Sequence, residues 1–182
     1  MLRRNRIMLS SSIIAALLSV CLARPVFAGN PKRVGKQLSS FKTTANQMRS
    51  EADLLKSYTP SKRLSWQSHT NQLNILREKV NQLGKDLAYL ESQKAVAAES
   101  QVMAMEHARP HLESIAENLT RAIELVDEDR RNVYSAEYVE AVDRVYTHTD
   151  DLHTKVDTIL DFEATKARLD KLELPALSSE GS

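Results

Sequence analysis

The chain is poor in the residues that carry redox chemistry and loop-based chemistry. It has one cysteine in 182 residues, together with four glycines and five prolines. The lone Cys21 allows no intrachain disulfide, no Cys-x-x-Cys redox pair, no zinc–cysteine cluster and no Cys-x-x-Cys-His haem attachment. No glycine-rich phosphate cradle, His-Glu-x-x-His helix or Gly-x-Ser-x-Gly elbow is present. Strand-like alternation of apolar and polar residues is missing as well. Neither charge sign dominates: 25 Lys and Arg face 24 Asp and Glu. The chain therefore lacks the basic field that nucleic acids or anionic lipids require.

The start of the chain reads as an export signal. Arg3, Arg4 and Arg6 precede an apolar run from Ile7 to Ala23, and small residues at Val26 and Ala28 follow. This is the layout of a secretory signal peptide over residues 1–28, cleaved after Ala28. The run is short for a membrane-spanning helix, and Pro25 closes it. Leu18-Ser19-Val20-Cys21 approximates a lipid-attachment box, but Val20 is bulky where a small residue is usual. Arg3-Arg4 approximates a twin-arginine signal, with Arg6 in place of its usual apolar residue. Residues 1–28 hold four arginines (Arg3, Arg4, Arg6, Arg24) and no acid, so the mature chain carries a net charge of −3. The expected location is periplasmic or secreted, with no nucleic-acid partner and no membrane contact after cleavage. An exported chain without disulfides must be stable through its core, and about 150 residues suffice for one domain.

What the sequence does have is helical periodicity. Trp66, His69, Leu73, Leu76, Val80, Leu83, Leu87 and Leu90 recur at spacings of three and four, a narrow apolar seam of the coiled-coil kind. Val34, Leu38, Phe41, Ala45, Met48, Ala52 and Leu55 form a similar seam over 32–58. Thr59-Pro60 ends that first helix and is expected to start the second, with Thr59 as N-cap and Pro60 at the first helical position. Gly84, beside the seam, points to close approach by a neighbouring helix. A turn is expected within 92–100. A third helix over 98–127 then carries Met105, Ala108, Leu112, Ile115, Leu119, Ala122 and Val126, with a kink or local break at Pro110. Ser135 is a good N-cap for a fourth helix with Tyr138, Val142, Val145, Thr149, Leu152, Val156 and Ile159 on its seam, which Phe162, Leu169 and Leu172 continue with a slip in register. The predicted fold is all-α: an up-down-up-down four-helix bundle over 29–174, preceded by the signal peptide and followed by a frayed tail over 175–182.

Candidate site residues are few. His69 occupies a seam position, and a hairpin pivoting at Thr59-Pro60 would bring Met48 level with it. A histidine and a methionine facing each other inside a bundle can be axial ligands to a non-covalent haem. The plainer reading is a core histidine bonded to Tyr146 or Thr149, with Met48 filling space. His107 and His111, four apart on one helix, have the spacing of a divalent-metal pair, although Pro110 lies between them. His148 and His153, near Asp150 and Asp151, add ligands only if the fourth helix lies alongside. Trp66 reads as a core anchor at the end of the bundle, and the Asn118 glycosylation sequon falls inside a packed helix. Seam positions hold too few ionisable groups to form a catalytic constellation.

Leu64-Ser65-Trp66-Gln67-Ser68-His69, then Gln72-Leu73-Asn74 and Asn81-Gln82-Leu83-Gly84-Lys85, resembles an uncharacterised family of exported all-helical bacterial proteins of unknown function. The likeness continues through Arg109-Pro110 to Lys166-Ala167-Arg168-Leu169. The resemblance implies architecture and export, and no activity. The expectation is thus a non-catalytic structural or interaction protein of the bacterial envelope, pairing with another protein or with itself. The alternative is a haem- or metal-binding bundle using His69 and Met48, or His107 and His111.

Overall fold

A computed structural model describes residues 31–61 and 64–173. The expected signal peptide and the tail lie outside the described residues. Four helices account for nearly all of the rest: α1 (Pro31–Tyr58), α2 (Trp66–Ser92), α3 (Glu99–Glu128) and α4 (Ala136–Glu173), with short 3-10 turns at Lys94–Val96 and Arg130–Tyr134. Each helix packs on the next and α4 packs back on α1. Successive helices run antiparallel, which is the expected up-down-up-down bundle. There is no strand among the described residues. No described helix is long and apolar enough to cross a membrane.

The seams form the core. Every seam residue named above on α1 and α3 is buried, as are those on α2 from His69 to Leu90 and on α4 from Tyr138 to Val156. A helix whose apolar residues occupy one stripe must cover that stripe, and here four stripes cover one another. Trp66 is only partly buried at the bundle end. The Arg130 guanidinium stacks 4.0 Å from the centre of its ring.

Polar side chains fix the helix ends. Ser65 is the N-cap of α2, its hydroxyl accepting from the Ser68 backbone N–H. The Gln101 side chain accepts from the Ala98 N–H at the start of α3. At its end the Asn132 amide donates to the Leu125 carbonyl at 2.8 Å. Asp129 accepts from the Arg131 backbone and side chain, which hold its carboxyl down to about 2. The Ser135 hydroxyl accepts from the Tyr138 N–H, as expected for the N-cap of α4.

Three local expectations need correction. The Thr59-Pro60 pair ends α1 but does not start α2, which begins at Trp66. Thr59 instead donates its hydroxyl back to the Lys56 carbonyl, and the connection is several residues longer than the sequence implied. Pro110 does not break α3, which continues through it. Pro110 and Glu106 both lie on the exposed face, where water can serve the carbonyl left without its N–H partner. Gly84 is not a point of close approach, because an added Cβ would have nothing within 4 Å.

A charge ladder sets the register between the outer helices. Lys42, Arg49 and Lys56, one heptad apart on α1, pair with Asp157, Asp150 and Asp143, one heptad apart on α4. Lys42 also reaches Asp161 at 3.2 Å. In this antiparallel register Pro31 stands level with about Arg168. On the other side of α4, His111 of α3 lies beside His148 and Asp151, so the start of α3 stands level with about residue 160. The 38-residue α4 therefore outruns the 30-residue α3. Among the described residues, helices cover its last dozen residues, about 18 Å, on at most one side. Phe162 and Leu169 do not continue the buried seam; they are 70% and 55% exposed.

Replacing Gly84 by alanine adds a methyl group in open space and removes the entropic penalty of glycine in a helix. Gly84→Ala should stabilise the protein by about 1 kcal/mol, a rise in Tm of roughly 2–4 °C by calorimetry.

Candidate functional site

Two clusters of titratable side chains stand out, one inside the bundle and one on its flank. The inner cluster is built on His69, a fully buried residue one turn into α2. Its Nδ1 is 3.0 Å from the Tyr138 hydroxyl of α4. The imidazole sits edge-on between Tyr58 and Tyr138, with ring centroids 5.6 Å and 5.5 Å away. Burial holds the His69 imidazole below its usual pKa and pushes the Tyr138 phenol well above its own. Both groups are therefore neutral at pH 7. His69 Nε2 has no hydrogen-bond partner among the described residues.

The partner differs from those read in the sequence. Thr149 is buried but donates its hydroxyl to the Val145 carbonyl, and Tyr146 lies beneath the Lys56 ammonium, 4.6 Å from the ring centre. Met48 is buried too, yet it does not face His69. Gln37 with Asp86 and Gln72 with Glu51 fix the register of α1 against α2. In that register Leu54 and Leu55 stand level with His69, while Met48 stands level with about Leu76. The longer connection before Trp66 has moved the pair roughly 9 Å apart along the helix axis. The arrangement expected for haem ligands is not formed by these two residues.

The flank cluster joins α3 to α4. His111 comes from α3, and His148 and Asp151 come from one face of α4. The Nδ1 atoms of His111 and His148 are 3.5 Å apart, and Asp151 Oδ2 is 3.9 Å from His111 Nδ1. The Lys155 ammonium lies 2.9 Å from the other ring nitrogen of His111. Burial and then the Lys155 charge keep the His111 pKa low, which leaves its imidazole neutral and able to offer a lone pair.

His107, the expected partner of His111, is exposed on the preceding turn and outside the convergent group. His153 also stays outside it. His148, expected to join only if the fourth helix lies alongside, does lie beside His111 and brings Asp151 with it. Their meeting with His111 depends on how α3 and α4 are aligned, which no pattern within either helix encodes.

A half-open recess lined by Arg49, Ser50, Asp53 and Tyr146 lies on the α1–α4 face. Two of its polar groups are already engaged: Ser50 donates to the Asn46 carbonyl, and Arg49 pairs with Asp150.

The inner cluster yields a pH test. The folded pKa of His69 lies below the roughly 6.5 of an unfolded chain. The unfolded chain thus takes up the extra proton first. Stability should be full above about pH 6.5 and fall as the pH drops toward the lower folded value. In His69→Leu that fall should be shallower, in thermal melts from pH 5 to 8. Tyr138→Phe and His69→Leu should each cost about 1–3 kcal/mol, since each strands a buried polar group. The double variant should cost clearly less than the two together. An unchanged pH slope in His69→Leu would assign the titration elsewhere.

Comparison with protein families, curated proteins and solved structures yields no match.

Proposed function

We propose that the chain is an exported, periplasmic bundle protein that works without catalysis, by associating with a second copy of itself in the cell envelope. The observation that carries this reading is the projecting end of α4, where Phe162 and Leu169 are exposed one heptad apart beyond the start of α3. Large apolar side chains repeated at seven residues on an uncovered helix suit a helix partner.

Charge favours a second copy as that partner. With two such segments run antiparallel, Phe162 packs near Leu169 of the second copy. Helical geometry then sets Asp161 beside Arg168 of that copy, twice by symmetry. Opposite signs meet in these two pairs, which steers two copies together and fixes their direction. Export is supported by the basic and apolar start of the sequence, and the absence of disulfides fits a core that closes without them.

Light scattering coupled to size exclusion, on protein recovered from the periplasm, tests both parts. The expected species starts at Gly29 by mass spectrometry and is a dimer at tens of micromolar. Phe162→Lys and Leu169→Lys should each give a monomer. Because both residues lie outside the core, stability should stay within about 0.5 kcal/mol of the parent. A wild-type monomer at every concentration, or a dimer indifferent to both substitutions, would overturn self-association. An uncleaved cytoplasmic product would overturn export.

A further inference from the structure

We propose a binding site for one divalent transition-metal ion between α3 and α4, formed by His111, His148 and Asp151. It is independent of self-association through the end of α4. One ligand atom from each residue can be chosen so that all three lie within 4.8 Å of one another. Two donors on one tetrahedral ion with bonds of about 2.0–2.1 Å stand roughly 3.3 Å apart. The His111 and His148 Nδ1 atoms are already 3.5 Å apart. Asp151 Oδ2 is 3.9 Å from His111 Nδ1 and closes the remaining gap by side-chain rotation.

The donor set selects the ion. Two imidazole nitrogens and one carboxylate oxygen suit Zn(II), Ni(II) or Cu(II), whereas Mg(II) and Ca(II) prefer oxygen ligands throughout. The two helices hold the imidazoles so that binding needs no backbone movement. The His111 side chain is 13% exposed and that of Asp151 48%, so the cluster has an inner end and a wet end. Water can take the fourth position from the outer side.

Lys155 is the resident competitor. Its ammonium donates to His111 Nε2, which places the proton of a neutral His111 on Nδ1, where it can be donated to His148. An incoming ion takes Nδ1 instead, so the proton must move to Nε2. His111 then no longer accepts from Lys155, and the exposed lysine swings into solvent. The ion and the ammonium thus exclude each other by hydrogen bonding as well as by charge.

Titration of the tag-free, chelator-stripped mature protein with Co(II), followed by competition with Zn(II), tests the site. One equivalent of Co(II) should produce visible d–d absorption stronger than that of the aqueous ion, and Zn(II) should bleach it. His111→Ala and His148→Ala should weaken uptake at least tenfold. Asp151→Asn, which keeps the side-chain shape, should weaken it by less. His107→Ala and His153→Ala should leave it unchanged, and Lys155→Ala should tighten it several-fold. Circular dichroism of each variant checks that the helices are retained. Absence of stoichiometric uptake at micromolar metal would overturn the assignment. So would uptake that survives both His111→Ala and His148→Ala, or that is lost equally in His107→Ala.

Discussion

Four apolar stripes that only one another can cover hold this protein together. Although the helices run to between 27 and 38 residues, most of their stability comes from packing these apolar faces and not from helix propensity. Burying a leucine or valine contributes about 1.5–3 kcal/mol, and some thirty apolar side chains lie in the common core. The inner histidine, the flank cluster and the charge ladder are all placed by that packing. The ladder's pairs lie at the surface, where water and salt screen them. They select one alignment among several that bury similar apolar area.

Most polar groups in the core are supplied with partners, His69 Nε2 excepted. Asp86, 7% exposed, takes amide hydrogens from Gln37 on α1 and Gln82 on its own helix, both at 2.9 Å. Gln72 is similarly buried and donates to the Glu51 carboxylate and backbone. His69 and Tyr138 tie α2 to α4 across the interior. Each pair joins two helices at a fixed height, and a slipped neighbour would leave a buried donor or acceptor unpaired. These contacts give the bundle its alignment where interchangeable leucines would not.

Seam positions were legible in the sequence because the 3.6-residue repeat decides which residues face inward. Val34 through Leu55, Leu73 through Leu90 and Tyr138 through Val156 could be read directly. Heights of one helix against another were not legible. They depend on connection lengths, and Thr59-Pro60 read as a direct hairpin although Ser65 caps α2. That difference separated Met48 from His69. The same kind of alignment, invisible within a single helix, brought His148 and Asp151 to His111 and left His107 outside. Pro110 was judged by its intrinsic effect on a helix and Gly84 by its place beside the seam, whereas Pro110 lies on the exposed face and Gly84 borders empty space. Phe162 and Leu169 read as seam because they are apolar at helical spacing, and they end up uncovered because the neighbouring helices are shorter.

The repeating rungs between α1 and α4 have one more consequence. Sliding α1 by seven residues would keep two rungs and strand one charge at each end. Yet α1 of one molecule laid on α4 of another would reproduce every rung, since the interface carries no mark of which molecule supplies which helix. Only the short connection from Tyr58 to Trp66 keeps the two partners in one molecule. Shortening that link, so that α1 could no longer fold back on its own molecule without strain, would open the route to a domain-swapped pair with an unchanged interior.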